Sequence, residues 1–114
     1  MPLPNPNRNE VSLELGSRKF LARASFNFIS QLEEYFNIPL TQVVYERLPT
    51  GQLYGKDLLV IFAAGIEAAK QEYSEDDLKD AIDEAGVEAS IYEAIKLIMA
   101  AFKGPQTNTG KKKN

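Results

Sequence analysis

Apolar residues alternate with polar ones only near the start of the chain. Val11, Leu13 and Leu15 are separated by Ser12 and Glu14, a period of two that predicts a strand with one buried face. Gly16-Ser17 follows, and glycine accepts the positive φ of a type II′ turn. The spacing therefore predicts a β-hairpin over residues 10–23, pairing Leu15 with Arg18, Leu13 with Phe20 and Val11 with Ala22. That register also sets Glu14 opposite Lys19 and Glu10 opposite Arg23, opposite charges that favour it. A lone hairpin is marginal in water, so its apolar face needs a partner layer.

After the hairpin the period lengthens to that of helices. Ser25 reads as an N-cap for a helix carrying Phe28, Ile29, Leu32, Tyr35 and Phe36; Asn37 suits the left-handed C′ position and Pro39 stops the helix. A short second helix is expected from about Pro39 to Leu48, with Leu40, Val44 and Leu48 as its stripe and Val43 beside it. The third, from about Lys56 to Glu72, is apolar over most of its girth and is expected at the centre of the domain. Gly65 within it costs about 1 kcal/mol relative to Ala, which implies close packing against a neighbour. Ser74-Glu75-Asp76-Asp77 opens a fourth helix with a cap and dipole-matched acids, and Gly86 ends it. The fifth spans about Glu88 to Lys103, with Ile91, Ile95, Ile98 and Phe102 as its stripe and Gly104-Pro105 as its stop.

The predicted fold is α+β and mostly α: an N-terminal two-stranded β-hairpin packed on a compact bundle of about five helices. Residues 1–8 read as a disordered, Pro-rich arm, 9–103 as one domain and 104–114 as a disordered basic tail.

Composition narrows the chemistry. The 114 residues contain no cysteine and no histidine. Disulfides, thiolate metal sites, Ser-His-Asp triads and Cys-His pairs are thereby excluded. The longest strongly apolar run, Leu58 to Ile66, is far short of the ~20 residues of a membrane span. Met1 to Asn9 does not read as a signal peptide, so a cytoplasmic protein is expected. Net charge is −3, but residues 10–103 hold nine basic and sixteen acidic residues, a net of −7. Such a body repels nucleic acid. The acids between Glu72 and Glu88 follow helical spacing and lack the alternating ligands and glycine turn of a calcium loop, so they read as a solvated helix face. No phosphate-binding glycine pattern is present. Neither an enzyme nor a cofactor is expected, and protein binding is the class that remains. The candidate contact residues are Tyr35, Val43, Tyr45, Tyr92, Met99 and Phe102, apolar or amphipathic side chains at or beside their helix stripes. Their occupant is another protein or a second copy of the chain.

The order of elements resembles the small tail proteins of siphophages and gene transfer agents, usually described as tail assembly chaperones. The resemblance covers about residues 7–103. It rests on Asn7-Arg8-Asn9-Glu10-Val11, the turn at Leu15-Gly16-Ser17, Phe20-Leu21-Ala22-Arg23-Ala24-Ser25-Phe26, Leu32-Glu33-Glu34, Ile38-Pro39-Leu40, Lys56-Asp57-Leu58, Ala63-Ala64-Gly65-Ile66 and Ser74-Glu75-Asp76-Asp77-Leu78. This sequence has Asn37 where the family often has glycine, and Ala24-Ser25 where it often has Pro-Thr. The resemblance implies an assembly factor without catalytic residues that binds the tape-measure protein before the tail tube polymerises. The alternative is a structural tail (tube) component, located in the virion. A tube subunit needs enough strands to close a β ring, and one hairpin is few, so the sequence favours the chaperone.

Overall fold

A computed structural model describes residues 3–105. Strands β1 (Glu10–Leu15) and β2 (Arg18–Arg23) form an antiparallel hairpin. Its register is the expected one, with Leu15 opposite Arg18, Leu13 opposite Phe20 and Val11 opposite Ala22. Gly16 takes φ +63° at the turn. Leu13, Leu15 and Ala22 are fully buried on one face.

Glu14 faces Lys19 and Glu10 faces Arg23 as expected, but their side chains close no salt bridge across the strands among the described residues. Glu10 instead accepts from the Asn5 amide at 2.9 Å and pairs with Arg8 at 3.3 Å, while Arg23 Nε donates to the Arg8 carbonyl. Among the described residues, no ion pair joins Glu14 to Lys19. The competing partners come from the segment before β1. Pro6–Arg8 is a 3-10 turn capped by Asn5, not an extended arm. Asn9, at φ 59°, closes it and donates through Nδ2 to the carbonyls of Ala24 and Ala100. Asn5 and Arg8, within the expected arm, are thus tied to Glu10 and Arg23 at the open end of the hairpin. Residues 1–2 and 106–114 lie outside the described residues.

Helix α1 (Phe26–Phe36) begins at Ser25, whose Oγ accepts from the Phe28 amide, and ends at Asn37 with φ 60°. The short helix α2 (Leu40–Gln42) continues into a π-helical turn, Val43–Arg47, in which the Leu48 amide reaches the Val43 carbonyl. Helix α3 (Gly55–Ala68) is the central element, carrying buried Leu58, Ile61, Phe62, Ala64 and Ile66 and packing on β2, α1, α4 and α5. It ends earlier than expected. Lys70 takes φ 59°, with its amide on the Glu67 carbonyl and that of Gln71 on Ile66, a Schellman cap that lysine does not advertise. Helix α4 (Glu75–Ala85) is capped by Ser74 and stops at Gly86; α5 (Val87–Lys103) follows directly and stops at Gly104.

Gly65 has the packing role its position implied. A Cβ there would lie 2.7 Å from Leu97 Cδ2 on α5 and 3.1 Å from Ala22 Cβ on β2. Three elements meet at that point, and only a hydrogen fits between them.

Two polar clusters fasten this architecture. At the hairpin tip, the Ser17 amide and hydroxyl both donate to Glu84 of α4, at 3.1 and 3.2 Å, and Arg18 donates to the Asp77 carbonyl at 2.8 Å. The acidic face of α4, expected to be simply solvated, therefore holds the turn. In the first turn of α3, Asp57 is buried. Its carboxylate accepts from the Tyr35 hydroxyl at 2.8 Å, the Tyr54 amide at 2.8 Å and Arg47 Nη2 at 3.2 Å. Arg47 also donates twice to the Gln52 carbonyl and lies over the Phe36 ring.

Candidate functional site

Helix α5 carries more apolar side chains than its buried face accounts for. Its buried face is Ser90, Ala94, Leu97, Ile98 and Ala101. The expected stripe of Ile91, Ile95, Ile98 and Phe102 is rotated from this; only Ile98 belongs to both, and the other three are half-buried. Small residues explain the shift. Ser90, Ala94 and Ala101 let α5 approach the body closely, and Gly65 makes room for Leu97. The bulkier isoleucines and Phe102 are turned to the flank.

Beyond that flank the helix remains apolar. Tyr92 is 64% exposed, and Met99, seven residues on, lies on the same face and is half-buried. Tyr45, 68% exposed on the π-helical turn, meets Phe102 edge-to-face with ring centroids 5.7 Å apart. Four of the six candidate contact residues, Tyr45, Tyr92, Met99 and Phe102, are thus accessible along α5 and the turn beside it. The other two differ: Val43 is inaccessible, and Tyr35 is exposed but tied into the fold. Val43 is fully buried in the core, because the π-helical turn rotates it inward beside Val44, and it cannot meet a partner. Tyr35 is 37% exposed, but its hydroxyl is engaged by Asp57. Burial and that hydrogen bond push its pKa above 10.0. Its role is inside the fold.

Two features of this surface were not read from the sequence. Ile91 and Ile95 belong to it, and their half-burial follows only from how α5 seats. The charges of α5 are also divided between two jobs. Glu93 accepts the Glu14 amide at 2.9 Å, and Lys96 donates to the Ser12 carbonyl at 2.9 Å, so both cover the outer edge of β1. Glu88 and Lys103 have no ion pair or side-chain hydrogen bond among the described residues.

Elsewhere the surface offers little chemistry. The depression between the start of α3 and α4 is lined by Leu59 and Ile82 with Lys56, Lys79 and Asp83 at its rim, and it is open to solvent. Among the described residues, no group of three or more acids or other ligands is placed to hold a metal ion. No helix among them is long and apolar enough to cross a membrane.

The family model described as "Phage tail tube protein, GTA-gp10" matches residues 8–104. The chain belongs to this family. The match begins at Arg8, the last residue of the capped turn, and ends at Gly104, so it takes in the hairpin and all five helices. No curated protein and no solved structure matches the chain. Membership makes this a tail-related protein of a phage or gene transfer agent and directs attention to protein–protein contacts, for which the flank of α5 is a candidate surface.

Proposed function

We propose that the protein is a structural component of a phage or gene transfer agent tail, that it works without catalysis, and that it contacts other tail proteins through the outer flank of α5. The observation that carries this reading is the match of residues 8–104 to a family described as a tail tube protein. The exposed aromatic and methionine side chains on α5 and the adjoining turn support it, because such residues are enriched at protein interfaces. The edge-to-face Tyr45–Phe102 pair supplies a preformed anchor there.

One observation favours a second reading. The described residues contain a single two-stranded sheet, and the outer edge of β1 is covered by Glu93 and Lys96. A ring closed by continuous strand pairing needs more open edge than that. This suits a tail assembly chaperone that engages the tape-measure protein before polymerisation. Quantitative mass spectrometry of purified particles separates the two. A structural component is present at a fixed copy number per tail, whereas a chaperone is found in the producing cells and is missing from particles. If particle assembly proceeds normally after deletion of the gene, both readings fall.

A further inference from the structure

The residues at the crest of the α5 flank are Glu88, Tyr92, Ile95, Met99 and Lys103. Their spacings of four, three, four and four keep them on one stripe of a helix with 3.6 residues per turn. The stripe is apolar in the middle, acidic at its N-terminal end and basic at its C-terminal end. It reads the same against an antiparallel copy of itself. A two-fold axis passing between Ile95 and Lys96 sets Glu88 opposite the second copy's Lys103, and Tyr92 opposite its Met99, twice over. Ile95 meets its own counterpart near the axis.

We propose that the occupant of this stripe is a second copy of the chain, joined by an isologous antiparallel α5–α5 contact. Three observations select it. Of the four charged residues of α5, Glu93 and Lys96 are committed to β1, while the two unengaged among the described residues are those that the two-fold brings together. Secondly, the apolar residues between them keep surface open to solvent: Tyr92 is 64% exposed, and Ile95 and Met99 are only half-buried against the core. Thirdly, the remaining surface is acidic, which disfavours most other self-contacts and leaves a registered one as the complementary choice. A helix acid at the N-terminus and a base at the C-terminus also suit the macrodipole. That accounts for two signs, but not for the apolar crest between them.

The contact involves one helix of 17 residues, about 25 Å long. It is smaller than the roughly 800 Å² per partner of a stable complex, so the dimer is weak and concentration-dependent. It rests on the reading of this flank as a contact surface and is independent of whether the chain stays in the tail.

Charge reversal with complementation tests it on the full chain. Sedimentation equilibrium at about 0.15 M salt, over protein concentrations from about 5 to 500 μM, should show a monomer–dimer equilibrium for the wild type. Glu88→Lys and Lys103→Glu should each weaken self-association at least about tenfold, because like charges then face each other at both ends. An equimolar mixture of the two variants should recover dimer, since each lysine then meets a glutamate. A macrodipole effect alone predicts no such recovery. Tyr92→Asp, with unchanged circular dichroism, should also abolish the dimer. A wild type monomeric throughout, or a mixture no more associated than its components, overturns the proposal. A monomer that is nonetheless found in particles would overturn the dimer while leaving the tail reading intact.

Discussion

The two polar clusters, one at the hairpin tip and one at the start of α3, solve the same problem in opposite ways. At the hairpin tip, Glu84 and Asp77 of α4 hold Ser17 and Arg18 in contact with solvent; the Arg18–Asp77 ion pair is long, at 3.7 Å, and its side chains are 40% and 67% exposed. At Asp57 the carboxylate is enclosed, with three donors converging on it. Water competes at the first site, so each contact contributes little and the loss of one is tolerated. At the second the Asp57 carboxylate is almost fully screened from water, so the cluster is stable only when complete. The hairpin tip is therefore a set of replaceable contacts, and the Asp57 cluster a single cooperative unit that joins α1, the π-helical turn and the start of α3.

The sharpest way to break this contrast is Asp57→Ala. It leaves Arg47 and the Tyr35 hydroxyl without their acceptor and frees the amide at the start of α3. The loss should be about 3 kcal/mol by urea unfolding, at the lower end for a buried pair because Arg47 keeps some solvent contact. A loss below about 1 kcal/mol would put Asp57 in the same class as the hairpin tip. Gly16→Ala is next, at about 1–2 kcal/mol, because alanine resists φ +63° and its Cβ would lie 2.6 Å from Glu84 Cδ. Glu84→Ala should cost only about 0.5–1 kcal/mol, and less in high salt, since it removes exposed contacts and leaves no buried group behind. A loss as large as that of Asp57→Ala would show the tip to be cooperative as well.

Alkaline pH sharpens the comparison further. Tyr35 has its pKa raised by burial first and then by its bond to Asp57, and burial and Glu67 push Tyr73 up to about 12. A raised folded-state value means that the stabilisation is complete below the ordinary 10.0 and is lost as pH climbs through the folded value. The melting temperature should fall as pH rises above about 10, and Tyr35→Phe should reduce the Asp57 cluster's share of that fall. The hairpin tip contains no tyrosine to contribute. The smallest effect is expected at Ser90→Ala. Ser90 Oγ is buried on α5 with no partner among the described residues, so its removal should change stability by less than about 0.5 kcal/mol or increase it.

Much of this architecture was legible because it is local. The alternation about Gly16-Ser17 fixes the hairpin register, since a slip of one residue would turn Leu13 and Leu15 to solvent. Ser25, Asn37, Ser74, Gly86 and Gly104 mark the helix ends by satisfying or interrupting adjacent backbone bonds. The family resemblance read over about residues 7–103 agrees with the matched span at the level of a phage or gene transfer agent tail protein. Of the proposed contact surface, Tyr45, Tyr92, Met99 and Phe102 could be picked out as candidates from amphipathic character alone.

The rest depended on elements distant in sequence. Asp57 looked like an ordinary first-turn acid until Tyr35 and Arg47 closed over it. The Glu10–Arg23 pairing was outcompeted by Arg8 and Asn5, because the capped turn before β1 brings them closer. Val43 and Ile95 both sit in apolar patterns, yet one is core and the other lies on the flank. A helix that is apolar over more than half its circumference does not state which part faces inward. Gly65 and the small residues of α5 settle that by permitting one close approach, and the approach exists only once α3, α5 and the hairpin are packed together.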